Sequence, residues 1–358
     1  MLLLAAPKAA SAAYTPPGAL AALVEEKRRE VDRLRSLPEA REDGPWFLRL
    51  SYPAADASYS LGRALGWRPE RPALLVDIKR ASPTGQLGRT VTLNPQLVVE
   101  DALRDLMQLG VDGALINTDL TSYGGSYRDL KAASAYVRTA KPDLGAAVEV
   151  GAEADSAFPI VCKDLIVDPL QIARAACEGA RAVVLIAAAC LPDLPQLLDT
   201  CTLLGVEALV EVHTPDEVTV AAECGASIIL VNERDRATGE VVLGQAAGIA
   251  PFLPPDATCL AGGGIARIDQ VRKLRRAGYD GFVIGRALYG GDPRDAEALA
   301  RALSNEPPLQ RWGEAISVPV KKQAEADAAA DTQLQATEPP APSAPDAIED
   351  DGADAFGI

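Results

Sequence analysis

Phe158-Pro159-Ile160-Val161-Cys162-Lys163-Asp164 is an apolar run that ends in a cation. Runs of the same shape lie on either side of it, Leu74-Leu75-Val76-Asp77-Ile78-Lys79 and Ala208-Leu209-Val210-Glu211-Val212. Short apolar runs of this kind read as strands buried on both faces, as in a parallel sheet. Each carries an ionisable group at or near its C-terminal end. A buried charge is costly unless it is paired or used. Three such charges in three strand-helix units point to one shared pocket.

Outward from these runs the chain repeats the pattern. Strand candidates end near Lys79, Asn117, Lys163, Ala187, Glu211, Asn232, Gly262 and Gly285. Helical patterns lie between them, among them Pro95–Leu109, Pro169–Glu178, Leu194–Leu204, Pro215–Cys224 and Ile268–Ala277. Alternation of this kind implies a parallel sheet with helical crossovers. Eight units in one domain imply a closed (β/α)8 TIM barrel, with chemistry on the loops after each strand. A doubly wound open sheet competes, but no Gly-x-Gly-x-x-Gly follows the first strand. The barrel is expected over 68–316. Before it, Leu20, Leu23, Val24, Lys27, Val31 and Leu34 keep helical spacing, so an extra N-terminal helix is expected from about Gly18 to Ser36, within an extension 18–67 that is less regular up to Trp67. The stretch Leu130–Phe158 is longer than one helix needs and is broken by Pro142, Gly145 and Gly151. It precedes a strand, which places it on the face opposite the chemistry.

The two ends differ in composition from the body. Residues 1–17 are Ala-rich with one Lys and no acid. They read either as a transit-peptide remnant or as an unstructured N-terminus. From Gln323 to Ile358 there are nine acids and no Lys or Arg, which supply most of the formal net charge of -15. The segment 317–358 is an acidic, Ala/Pro-rich tail too poor in large apolar residues to offset chain ordering. It is expected to be disordered, as a solvating tail or as a peptide for a protein partner. The charge argues against a nucleic-acid partner, and no apolar run is long enough for a membrane span. Six cysteines without a C-x-x-C pair, and a single histidine, His213, argue against a metal site. The cysteines read as small buried hydrophobes in a reducing compartment.

The order of the motifs resembles indole-3-glycerol phosphate synthase, the tryptophan-pathway barrel. The first strand and its loop read Asp77-Ile78-Lys79-Arg80-Ala81-Ser82-Pro83-Thr84, and the third strand ends Cys162-Lys163-Asp164-Leu165, followed by Asp168 and Gln171. The fifth carries Leu209-Val210-Glu211-Val212-His213 and the sixth Asn232-Glu233-Arg234-Asp235. Thr118-Asp119 and Tyr123-Gly124-Gly125-Ser126 echo the second. The likeness covers about Leu20 to Leu303 and includes the helix before the barrel. It implies a carboxy-lyase that closes an indole ring on 1-(2-carboxyphenylamino)-1-deoxyribulose 5-phosphate, losing carbon dioxide and water, with no cofactor and no metal. It also suggests a plastid location, or otherwise the cytoplasm.

The resemblance implies roles for particular residues. Ring closure needs a proton on a sugar carbonyl, and a buried lysine ammonium can deliver it. Lys163 and Lys79 are the candidates, with Lys79 alternatively a point charge for the substrate's carboxylate or phosphate. Glu211 would serve the dehydration, and Asn232 would orient a hydroxyl. Arg234 would anchor its loop. Glycine turns after the seventh and eighth strands, Gly262-Gly263-Gly264 and Gly285-Arg286, would seat the phosphate, with Ser82 adding a hydroxyl. Taken out of this context, Lys163 and Glu211 would be an interior ion pair, the glycines a tight turn and His213 a structural loop residue.

Four positions depart from the family pattern. Asp77 stands where the family has Glu, and Gly262 where it has the Glu of Ser-Glu-Ser-Gly. Leu165 replaces a Phe near the substrate ring, and Arg286 occupies a Glu/Ser position. A second reading therefore stands beside the enzyme, that of a catalytically impaired barrel kept to bind phosphate ligands or to act as a scaffold.

Overall fold

The computed structural model describes residues 14–18, 20–52, 60–66, 71–83, 90–92, 94–140, 158–234, 240–290 and 292–306. All lie in the unit Met1–Leu309. The acidic tail, residues 1–13 and residues 141–157 of the long stretch Leu130–Phe158 lie outside the described residues.

Eight parallel strands close into a barrel: β1 (Ala73–Ile78), β4 (Gly113–Asn117), β5 (Ile160–Lys163), β6 (Ala182–Ile186), β7 (Glu207–Val212), β8 (Ile228–Asn232), β9 (Thr258–Gly262) and β10 (Gly281–Ile284). Each observed strand end falls within one residue of the position expected from the sequence. Closure is made by β1 pairing with β10 on one side, Val76 opposite Ile284, and with β4 on the other, Asp77 opposite Leu115. The loop after β1 carries an antiparallel pair that the sequence reading did not anticipate, β2 (Ala81–Pro83) with β3 (Thr90–Thr92).

The outer layer holds α4 (Val99–Gln108), α6 (Tyr127–Thr139), α7 (Pro169–Cys177), α9 (Leu194–Leu204), α10 (Pro215–Glu223), α11 (Gln245–Ile249), α12 (Ile268–Arg276) and α13 (Pro293–Ser304). Two one-turn helices, α5 (Leu120–Tyr123) and α8 (Ala187–Cys190), follow β4 and β6. The helix expected from Pro95 begins later, at Val99, because a turn at Pro95-Gln96 precedes it. The first ten residues of the segment Leu130–Phe158 belong to α6, capped by the Ser126 hydroxyl, which accepts from the Asp129 N–H. That part is an ordinary barrel helix.

Ahead of the barrel lie α1 (Leu20–Arg35), α2 (Pro45–Ser51) and α3 (Ser60–Gly66). The extension is thus more regular than its sequence suggests. Both later helices span only seven residues, too few for a readable apolar stripe. Helix α3 sits at the N-terminal end of the barrel. The Glu207 carboxylate, at the start of β7, accepts the Leu61 and Gly62 N–H groups at 2.6 and 2.8 Å. Inside the ring Leu75, Leu115, Val161, Val184, Leu209, Leu230, Leu260 and Val283 form one cluster with Leu61 and Leu65 of α3 and Leu20 and Val24 of α1. A larger apolar shell lies between strands and outer helices. Four cysteines are buried, and burial pushes the thiols of Cys162 and Cys201 up to about 12. Contrary to the reading of all six as buried hydrophobes, Cys177 is exposed and Cys224 half-buried, each at the C-terminal end of its helix.

Candidate active site

Side chains two apart on a strand share a face. This rule gathers the site, because Asp77 and Lys79, Glu211 and His213, and Asn232 and Arg234 are all such pairs. Lateral register then brings the strands' inward residues to one level. Asn117 lies opposite Lys163, and Asn232 opposite Gly262. The result is a polar ring above the apolar interior cluster, at the C-terminal ends of the strands.

Four charged groups of that ring touch in sequence. The Lys79 ammonium donates to Asp77 Oδ2 at 2.6 Å, and Lys163 Nζ lies 3.5 Å from the same oxygen. Lys163 Nζ is also 3.6 Å from Glu211 Oε2, and Glu211 is fully buried. The interior ion pair is therefore present, but as part of a larger network. Burial by itself would raise the Asp77 carboxyl. Lys163 and then Lys79 more than offset it and hold the group well below the usual carboxylate range. Burial dominates at Lys79 and depresses its ammonium, against the opposing pull of Asp77. Lys79 Nζ also lies 5.7 Å from the centre of the Tyr123 ring.

Asn232 is buried, and its Oδ1 accepts the Arg234 N–H at 3.0 Å. The glycines after β9 are required by this geometry. At Gly263, φ is +87°, and an added Cβ would lie 2.4 Å from Asn232 Oδ1. At Gly264, φ is +75°, and a Cβ would meet Val241 at 2.5 Å. Arg234 bridges to Val241, while Glu233 accepts the Gly244 and Ala246 N–H groups, which folds the next loop down beside the turn. Gly262 leaves little room, since its Cβ would stand 3.2 Å from Leu230 Cδ1 and 3.3 Å from Val283 Cβ. Gly285 abuts β1, its absent Cβ 3.4 Å from the Asp77 carbonyl oxygen. Ser82 is buried on β2, Leu165 packs on the interior cluster and Arg286 is exposed on the turn after β10. No described contact joins these three to the charged network.

The geometry brings in four more residues: Lys27, Asn117 and Tyr289, to which the sequence reading gave no site role, and His213, which it read as a structural loop residue. Lys27 of α1 is buried and binds Asp119 Oδ2 at 2.8 Å and Asp164 Oδ1 at 2.9 Å. Although burial opposes it, Asp164 and Asp119 hold its ammonium above the ordinary lysine range. Asp164 directly follows Lys163, so α1 is tied to the mouth of the barrel. His213 Nε2 lies 3.5 Å from Glu211 Oε1, with its Nδ1 side held by Glu217. The alternation Glu211-Val212-His213 carried that signal. Tyr289 donates its hydroxyl to the Asp77 carbonyl at 2.7 Å and accepts the Lys79 N–H at 3.0 Å, pinning the end of β1. Asn117 is the fourth, and its Nδ2 donates to Asp77 Oδ1 at 2.6 Å. Among the described residues no group of three or more His, Cys, Asp or Glu could hold a metal ion. Among them, too, no helix is long and apolar enough to cross a membrane.

The family model for indole-3-glycerol phosphate synthase matches residues 20–303. The chain is 32% identical over 271 residues to the indole-3-glycerol phosphate synthase of Chlorobium luteolum, covering 75% of this chain and 92% of that protein. It is 34% identical over 273 residues to that of Rhodococcus jostii, covering 75% and 91%. Among solved structures, 3-hexulose-6-phosphate synthase from Salmonella typhimurium resembles it with a TM-score of 0.47 and 16% identity, over 65% of this chain and 96% of that one. The chain belongs to the indole-3-glycerol phosphate synthase family.

Proposed function

We propose that this chain is a carboxy-lyase of tryptophan biosynthesis. It closes the indole ring of 1-(2-carboxyphenylamino)-1-deoxyribulose 5-phosphate with loss of carbon dioxide and water. The observation that carries the reading is Lys163, an ammonium buried between the carboxylates of Asp77 and Glu211 at the mouth of the barrel. Keeping four charges in so dry a place costs folding energy that an apolar filling would save. A barrel kept only as a scaffold gains nothing from that cost, so the non-catalytic alternative is disfavoured.

In the first step the aromatic carbon attacks the sugar ketone while an ammonium protonates the carbonyl oxygen. Lys163 and Lys79 are the two ammoniums that could supply that proton. Lys79, depressed by burial, gives up a proton more readily than an ordinary lysine. Carbon dioxide then leaves from the ring carbon that formed the new bond, and the electron pair it leaves behind restores aromatic character. Dehydration needs an acid to carry the new hydroxyl off as water and a base to take the proton from the neighbouring carbon; Glu211, with His213 beside it, would be the carboxylate for that step. Asn232 would orient a substrate hydroxyl, while Arg234, bridged to Val241, holds the loop. The backbone after β9 and β10, at Gly262–Gly264 and Gly285, with Ser82 and Arg286 at the rim, is the proposed seat of the phosphate. Leu165 would face the substrate ring. The Ala-rich first 17 residues support a plastid location, and the acidic tail suits a protein partner.

The test is direct. Purified protein given the carboxyphenylamino-deoxyribulose phosphate should develop indole fluorescence. Absence of turnover, with a phosphate ester still bound, would favour the non-catalytic barrel instead.

A further inference from the structure

Asn117 is a neutral side chain that grips the charged network. It ends β4, beside β1 on one flank and opposite Lys163 of β5 on the other. Its Nδ2 donates twice, to Asp77 Oδ1 at 2.6 Å and to the Ile78 carbonyl at 2.9 Å. Both acceptors are oxygens, so only the amide nitrogen can face them. Asn117 is 2% exposed, and its Oδ1 has no hydrogen-bond partner among the described residues. A buried amide left half-satisfied is a net cost to the fold. A leucine of similar size would pack there without that cost. The amide is thus better accounted for by what it does to Asp77 than by packing.

The carboxylate of Asp77 is fully engaged. Oδ1 takes Asn117, while Oδ2 takes Lys79 and faces Lys163. The backbone on either side is fixed as well, by Asn117 at the Ile78 carbonyl and by the Tyr289 hydroxyl at the Asp77 carbonyl. An aspartate is one methylene shorter than the glutamate expected here. Its oxygen reaches Lys79 and comes within 3.5 Å of Lys163 from a retracted position, and Asn117 meets the other oxygen.

We propose that Asn117 is a positioning residue matched to the shortened Asp77, and that the pair acts as a fixed ionised clamp which aims the Lys79 and Lys163 ammoniums at the substrate. Asp77 on this reading carries no proton during turnover. This rests on the ring-closing activity proposed above. The groups that face the Asp77 carboxylate are Lys79, Asn117 and Lys163, with Tyr289 on its backbone, Glu211 behind Lys163 and Arg234 acting on Lys79.

The experiment is a double-mutant cycle of D77E and N117L, with N117A as a smaller second replacement. N117L should lower kcat about tenfold or more with KM changed much less, as when one hydrogen-bonding group of an active site is lost. The acid limb of the kcat profile should move up in pH, because a donor to the charged carboxylate is gone. D77E alone should also be slow, since the longer side chain meets Asn117. D77E/N117L should recover much of that loss. Strict additivity of the two effects, or an unmoved acid limb in a folded N117L or N117A, would overturn the proposal. Titration of carbonyl-labelled aspartate by NMR supplies an arm that needs no turnover. The Asp77 resonance should titrate at higher pH in N117L or N117A than in wild type, and an equal midpoint would refute the clamp. A wild type that lacks turnover would sink the enzymatic reading, while the titration would still decide the clamp.

Discussion

Asp77 takes its state from its neighbours, and its removal has a predictable sign. Its carboxyl is depressed in the fold, so its stabilising contribution is full above the unfolded value of about 3.9. That contribution is lost as pH falls through the lower folded value. D77N should therefore destabilise the protein by about 3–5 kcal/mol at pH 7, where it leaves two buried ammoniums short of a partner. The deficit should shrink toward pH 3, and urea unfolding at the two pH values measures it. A deficit that is equal at both would mean that Asp77 is not the ionised partner. Gly262 is a second residue-scale case. The sequence presents it as a missing carboxylate, which predicts that G262E raises turnover. The packing adds a cost, since the new Cβ must displace Leu230 or Val283 by a few tenths of an ångström. G262E should gain activity and lose about 1–3 kcal/mol of stability. Unchanged turnover in folded G262E would show that the missing carboxylate is not the lesion.

At the scale of elements, α1 does more than precede the barrel. Leu20 and Val24 reach the interior cluster, and Lys27 joins the residues that follow β4 and β5. The sequence placed Lys27 on the apolar face of a helix, which is where an unexplained lysine invites a partner. Asp119 and Asp164 could not be named as those partners, because they lie on two other strand-helix units and meet only when the barrel closes. K27M should cost about 3–5 kcal/mol by leaving buried carboxylates unpaired. It should also lower kcat, because Asp164 adjoins Lys163. A K27M protein as stable as wild type would contradict the tie. The short helices α2 and α3 were illegible for a different reason, since seven residues hold too few turns to write a stripe. The hairpin after β1 escaped because its strands are three residues each.

For the whole molecule, eight apolar runs with helices between them were enough to read a closed barrel and the level of its strand ends. Lys79, Lys163 and Glu211 were legible because each is an ion written into an apolar run. The roles of Asn117 and Tyr289 were not, since a neutral amide at a strand end, or a tyrosine in the turn after β10, carries no such contradiction. The network as a unit also sets the pH response. A general acid must be protonated, and Lys79 is held below the ordinary lysine value. Turnover should therefore fall on the alkaline side below about pH 10.4, and a kcat profile reads the limb. A flat profile through that range would remove Lys79 from the role of acid. The central claim is that the lysines of this mouth, Lys163 foremost, perform the ring closure. It is tested most directly by indole fluorescence from wild type and K163A given the carboxyphenylamino-deoxyribulose phosphate, with calorimetric binding of a phosphate ester to both. Turnover by wild type, its loss in K163A and near-equal binding are the expected results. Equal turnover by the two proteins, or loss of binding together with turnover, would contradict the account.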